Sequence, residues 1–195
     1  MMLSRGSAAI VTALIAGAAL TGCGSNSLNN GTKTATVDTG VDAAAAAMVP
    51  AAIKSKGTLV VGSDASYAPS EFLAGDGKTI EGFDVDLFTA VAKKLGLKVS
   101  FQNASFDTII TGVQGNKYDV GVSSFTVNTD REKQVNMVSY FNAGTQWAAP
   151  AGNPKNVNPD SPCGLTVAVQ KGTVQLESDL PPKEKACKSA GIWVT

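Results

Sequence analysis

The stretch Tyr118-Asp119-Val120-Gly121-Val122-Ser123-Ser124-Phe125-Thr126-Val127-Asn128-Thr129-Asp130-Arg131 sets an apolar run, a hydroxyl-rich loop and an arginine within a short span of chain. The pattern predicts a buried strand that enters a loop and then a helix start. Such an arrangement suits capture of a small carboxylate. Loop hydroxyls and free helix-start N–H groups donate at short range, and a guanidinium adds a bidentate fork. Ser124, Thr126 and Arg131 are the candidate donors. The same residue types also serve plainer ends: Ser123, Ser124 and Thr126 can cap a helix, and Arg131 can be a solvated helix residue. The sequence has 0 histidines, so no Ser-His or Cys-His dyad can be assembled from it. Donors and a cation without a nucleophile–base pair favour reversible binding over catalysis. Asp84 and Asp86 look like paired carboxylates, but they fit better as acids favoured by the dipole at a helix start.

The elements that must position these groups follow from periodicity and turn chemistry. Residues 58–62 form a short apolar strand, and Gly75-Asp76-Gly77 predicts the turn of a hairpin over 72–82. Phe88, Val91, Ala92 and Leu95 recur at helical spacing, so 84–95 is a helix stopped by Gly96. Strand 98–102, helix 106–114 and strand 118–122 come next. This order predicts an α/β layer with helices over a mostly parallel sheet. Residues 142–150 read as an extended crossover and 153–162 as an Asn- and Pro-rich loop. A strand at 165–169, a helix after Thr173, a break at Pro181-Pro182, a short helix at 183–190 and a strand at 192–194 complete the chain.

The N-terminal segment predicts a destination. Arg5 is followed by an apolar run over 8–20 that is too short to span a bilayer, and Leu20-Thr21-Gly22-Cys23 ends it. This resembles a bacterial lipobox, which makes residues 1–22 a signal peptide and Cys23 a lipidated first residue; an ordinary cleavage site is the plainer alternative. Residues 23–56 have no aromatic side chain and read as a flexible tether, with a possible helical turn in the alanine run over 43–47. Lys plus Arg and Asp plus Glu each number 16, a balance that gives no basic face for a nucleic-acid partner. Cys163 and Cys187 remain as a pair, either two free thiols or a disulfide. The disulfide is the expected state in an oxidising compartment.

Four segments resemble the family 3 extracellular solute-binding proteins, the polar amino-acid receptors of ABC importers. They are residues 61–69 (Val61-Gly62-Ser63-Asp64-Ala65-Ser66-Tyr67-Ala68-Pro69), 81–87 (Glu81-Gly82-Phe83-Asp84-Val85-Asp86-Leu87), 117–131, and 167–173 (Val167-Ala168-Val169-Gln170-Lys171-Gly172-Thr173). The resemblance implies a periplasmic-binding-protein-like α/β fold with two lobes and a ligand cleft. Its boundaries would be lobe 1 over 57–145, a hinge over 146–152 and a partial lobe 2 over 153–195. It also implies site residues. Arg131 would grip the α-carboxylate, Ser124 and Thr126 would donate from the first lobe, and Thr173 would donate from the second. Tyr67 and Phe106 would sandwich the ligand, and Asp64 would meet its side chain. The implied partners are a polar amino acid, an ABC permease and ATPase, and the membrane through the lipid anchor. The protein would be a monomer with no cofactor and no metal.

Two departures stand out. Many relatives have an aromatic residue where this chain has Ser70. The family's second crossover and its ammonium-binding acid are expected beyond Thr195, so the chain reads as C-terminally truncated and as a weak binder at best. Rival expectations are an enzyme on the same scaffold, such as a cyclohexadienyl or arogenate-type dehydratase, and a sensor's ligand-binding domain.

Overall fold

The computed structural model describes residues 40–191. Strand β1 (Thr58–Ser63) is the centre of a three-stranded parallel sheet, flanked by β5 (Lys98–Asn103) and β6 (Val120–Gly121) in the order β5-β1-β6. Leu59 pairs with Val99 and Val61 with Phe101 on one side, and Val61 pairs with Val120 on the other. A central strand is enclosed by its neighbours, which is why Thr58-Leu59-Val60-Val61 reads as a continuous apolar run. Helix α3 (Phe83–Lys94) packs on β5, and helix α4 (Phe106–Gln114) packs on β1 and β6. Val61 and Ile109 are fully buried at the second of these contacts. The expected mixed α/β fold with a parallel sheet is therefore present. Strand 118–122 is shorter than expected, with only Val120 and Gly121 in the ladder.

The hairpin has a third strand. β2 (Ser66–Tyr67), β3 (Glu71–Leu73) and β4 (Ile80–Glu81) form an antiparallel meander. Its tip is closed by Asp76 Oδ1, which accepts from the N–H groups of Lys78 and Thr79, both at 2.8 Å. Gly82 then turns the chain into α3 at φ +135°. A Cβ there would stand 2.2 Å from the Ser70 carbonyl oxygen, so only glycine fits.

Three expectations need correction. The flexible tether assigned to 23–56 is ordered at its end, where α1 (Ala43–Met48) and α2 (Ala51–Lys56) form. Alanine carries the lowest cost of entering a helix. Asp42 caps α1 by accepting from the N–H groups of Ala44 and Ala45, each at 3.0 Å. Val49 and Ile53 then pack on the cluster of Leu59, Ala92 and Leu97. Residues 165–169 form no strand: no ladder partner pairs with them among the described residues. Pro181-Pro182 does not break the chain: a π-helical turn (Gln175–Asp179) runs directly into α6 (Leu180–Ser189), with proline in the first turn. Proline's fixed φ near −65° is the value a helix needs in any case.

Cys163 and Cys187 are joined in a disulfide, with Cα atoms 5.2 Å apart. Residues 1–22, Cys23 and the strand expected at 192–194 lie outside the described residues. No helix among the described residues is long and apolar enough to cross a membrane.

Candidate functional site

The C-terminal ends of β1 and β6 and the N-terminus of α4 converge, and the expected binding residues gather there. Asp64 follows β1. Its Oδ1 accepts from Ser66 Oγ at 2.7 Å, and its Oδ2 accepts from the Phe106 N–H at 3.0 Å, which satisfies one of the free donors at the start of α4. The same Oδ2 accepts from Gln170 Nε2 at 3.0 Å. Phe106 stacks on Phe125 with centroids 4.3 Å apart and meets Tyr67 at 6.0 Å.

Arg131 lies in α5 (Thr129–Glu132), whose N-cap Asn128 accepts from the Arg131 N–H at 2.9 Å. The residue is 5 % exposed. Its guanidinium carbon sits 5.7 Å from the Phe106 centroid and 5.4 Å from the Phe125 centroid, within cation–π range of both. Nη1 donates to the Thr126 carbonyl and Nη2 to the Gly172 carbonyl, both at 2.8 Å. Burial pulls the guanidinium's pKa down and the field of Glu177 pushes it back up. Arginine stays charged through such shifts. A buried cation held by neutral carbonyls is one that a carboxylate would bind more strongly.

Residues 170–173 close over this cation. Lys171 pairs with Asp107 at 2.9 Å. Gly172 adopts φ +77°, and a Cβ on it would stand 2.9 Å from the Asp107 Cβ. Thr173 is buried, but its hydroxyl turns back on its own loop. It donates to the Gln170 carbonyl at 2.7 Å and accepts from the Leu176 N–H at 3.3 Å, capping the helical run that follows. Among the described residues, no cluster of His, Cys, Asp and Glu could hold a metal ion.

Asp64, Tyr67, Phe106 and Arg131 therefore form one connected cluster, which Gln170 and Gly172 reach from the segment that carries Thr173. Two of the expected donors play other parts. Thr126 offers Arg131 its carbonyl. Ser124, at φ +50°, donates its hydroxyl to Asp84 Oδ2 at 3.3 Å. Beneath the serine loop lies a polar cluster that sequence reasoning missed. Glu71 is 0 % exposed and accepts from Ser123 Oγ at 2.7 Å, while Ser123 Oγ accepts from the Asp64 N–H at 3.0 Å. Asp84 is 1 % exposed and accepts from the Tyr140 hydroxyl at 2.5 Å. It does lie in the first turn of α3, as a helix-start acid should, yet it faces inward. Burial raises the Tyr67 hydroxyl to about 12, helped by Asp64 and Glu71, and raises Tyr140 through burial and Asp84. The available signal was Glu71 beside Phe72 on a short strand, but nothing in the spacing distinguishes an inward glutamate from an outward one.

Residues 59–183 match the bacterial extracellular solute-binding proteins, family 3. This chain belongs to that family. It is 37 % identical over 145 residues to the arginine-binding protein ArgT of Corynebacterium glutamicum, covering 74 % of this chain and 47 % of that protein. It is 30 % identical over 123 residues to the L-cystine-binding protein TcyJ of Escherichia coli K12, covering 62 % of this chain and 46 % of that protein. The chain thus spans about half the length of these relatives. Among solved structures, an ancestral arginine-binding protein bound to arginine aligns with a TM-score of 0.60 at 36 % identity, covering 71 % of this chain and 60 % of that one. A solute-binding protein needs a cleft whose groups come from two sides. Here residues 170–172 contact Asp64, Asp107 and Arg131.

Proposed function

We propose that this chain is the solute-binding component of an ABC importer and that it captures a polar amino acid in the cleft at Arg131. The observation that carries the reading is the buried guanidinium between Phe106 and Phe125, which contacts both the loop after β6 and the Gly172 loop. A ligand α-carboxylate would take over Arg131's fork. Tyr67 and Phe106 would hold the aliphatic part of the ligand. Asp64 would receive a cationic or amide side chain, exchanging its bond to Gln170 for one to the ligand. Arginine is the first amino acid to test, because an acid at that position complements a guanidinium and because named relatives bind arginine. The protein would work as a monomer at the extracytoplasmic face, tethered through lipidated Cys23, and would hand its ligand to a permease. It would bind and release without chemistry.

Calorimetry against a panel of amino acids, on the protein as its gene encodes it, tests the reading. Arg131→Ala should weaken the best ligand by roughly 2–4 kcal/mol, because it strands a desolvated carboxylate. Arg131→Lys should restore only part of that, since an ammonium lacks the planar fork. Full affinity in the alanine variant would move the site elsewhere.

A further inference from the structure

Three buried side-chain oxygens among the described residues have no hydrogen-bond partner, and two of them, Glu71 Oε2 and Asp84 Oδ1, belong to carboxyl groups that interact with one another. Each residue is otherwise fully engaged through its second oxygen. Glu71 Oε1 accepts from Ser123, and Asp84 Oδ2 accepts from Tyr140 and Ser124. Two such groups cannot both stay ionised out of water, and two carboxylates cannot satisfy one another without a hydrogen. A single proton between the two orphaned oxygens resolves both problems. We infer that Glu71 and Asp84 share one proton beneath the serine loop, and that this proton holds Ser123 and Ser124 in the conformation that the cleft requires.

The geometry supplies the links on either side of that proton. The Asp64 N–H donates to Ser123 Oγ, whose hydroxyl donates to Glu71 Oε1. The proton on Glu71 Oε2 donates to Asp84 Oδ1. Asp84 Oδ2 then fixes the Ser124 hydroxyl, holding a non-glycine residue at φ +50°. At one end is Asp64, which caps α4 at the cleft, and at the other is the loop that leads to Arg131. Glu71 and Asp84 are positioning residues in this reading, since neither needs to touch the ligand. The inference rests on the cleft being the binding site only for its effect on affinity.

The surroundings favour the protonated pair. Asp64 and Tyr67 face Glu71 from the β1–β2 segment, Ser123 from the loop after β6, and Asp84 from α3, while Tyr140 and Ser124 face Asp84. None of these groups is a cation. Burial lifts Glu71 from 4.5 to about 8; the Ser123 hydroxyl opposes the shift and Asp84 adds to it. The folded chain therefore keeps a proton that the unfolded chain releases near 4.5. The associated stability is complete below that pH and is lost as pH rises through about 8.

Carbon-detected NMR of the protein, following the Glu71 side-chain carboxyl and the Ser123 and Ser124 amides, tests this. Glu71 should titrate near 8, and both amides should move with the same midpoint. Tyr140→Phe removes a donor to Asp84, makes the pair hold its proton more tightly and should raise that midpoint. Glu71→Gln keeps a donor in place of the shared proton, so the serine amides should no longer respond near pH 8. Amino-acid affinity in the unmodified protein should fall about tenfold per pH unit above the midpoint relative to Glu71→Gln at the same pH. This ratio cancels the ligand's own titration. A Glu71 midpoint in the ordinary carboxylate range, or serine amides that ignore it, overturns the inference. A flat affinity ratio while Glu71 titrates near 8 overturns its coupling to the cleft. If no amino acid binds at any pH while Glu71 and the serine amides titrate together, the shared proton stands and the proposed function falls.

Discussion

The region from Asp42 to Phe141 and the region from Thr145 to Gly191 are held together by different means. The first buries Leu59, Val61, Leu97, Phe106 and Ile109 around a parallel sheet. In the second, the buried residues among those described are Pro162, Thr173 and Cys187. Its helix α6 has a disulfide on one side, and the segment over 165–169 has no ladder. It reaches the first region through point contacts: Arg131 to Gly172, Gln170 to Asp64, and Lys171 to Asp107. A layered core stabilises through area removed from water, which is non-directional and spread over many residues. A cross-link and a few polar contacts act at single residues. The first region should therefore lose stability through cavities, and the second through removal of one bond.

The largest effect separates the regions most sharply. Ile109→Ala opens a void at a fully buried position under the sheet and should cost about 2–5 kcal/mol in denaturant unfolding. Hydrogen exchange should accelerate in β1 and β6 and change little in α6. Equal acceleration in α6 would show that the two regions unfold as one. The converse experiment is Cys163→Ser with Cys187→Ser. The bridge closes 24 residues of sequence separation, and its loss should cost roughly 3 kcal/mol in the chain-entropy model. Exchange should then rise in α6 and leave the sheet protected. If β1 deprotects as well, the disulfide supports the whole molecule.

The same contrast explains what could be read from the residues. Helix α4 and strands β1 and β5 matched their expected spans closely, because period, caps and burial all favour one structure there. The segment over 165–169 has as good a strand pattern, yet a strand is completed only by a neighbour, and none pairs with it among the described residues. Pro181-Pro182 signals a break, yet the helical run that begins at Gln175 continues through it, because proline's φ is compatible with a helix. The alanine run and Asp42 were a legible helix start, but composition alone hid the docking of Val49 and Ile53. Asp64, Tyr67, Phe106 and Arg131, which the resemblance singles out, do cluster round the start of α4. Glu71 and Gln170 were not legible, because their roles consist of tertiary partners and leave no periodic trace.

The smallest effect concerns the most exposed link between the regions. Lys171 is 83 % exposed and Asp107 25 % exposed along their side chains, so water screens most of their attraction. Asp107 also lies in the first turn of α4, where the helix dipole favours an acid whether or not a lysine is near. Lys171→Ala should therefore leave most of what Asp107 contributes in place. A double-mutant cycle with Asp107→Ala, read by thermal unfolding, should give a coupling of about 0.2–1 kcal/mol. The coupling should fade towards zero in about 1 M salt, where the Debye length shrinks to roughly 3 Å. Gly172, the next residue, approaches Asp107 through its backbone, and that contact has no charge to screen. If the coupling instead exceeds about 2 kcal/mol and survives salt, the pair is effectively desolvated. The 170–173 loop would then be fixed by its ion pair, and the second region would be less dependent on Arg131 than its geometry implies.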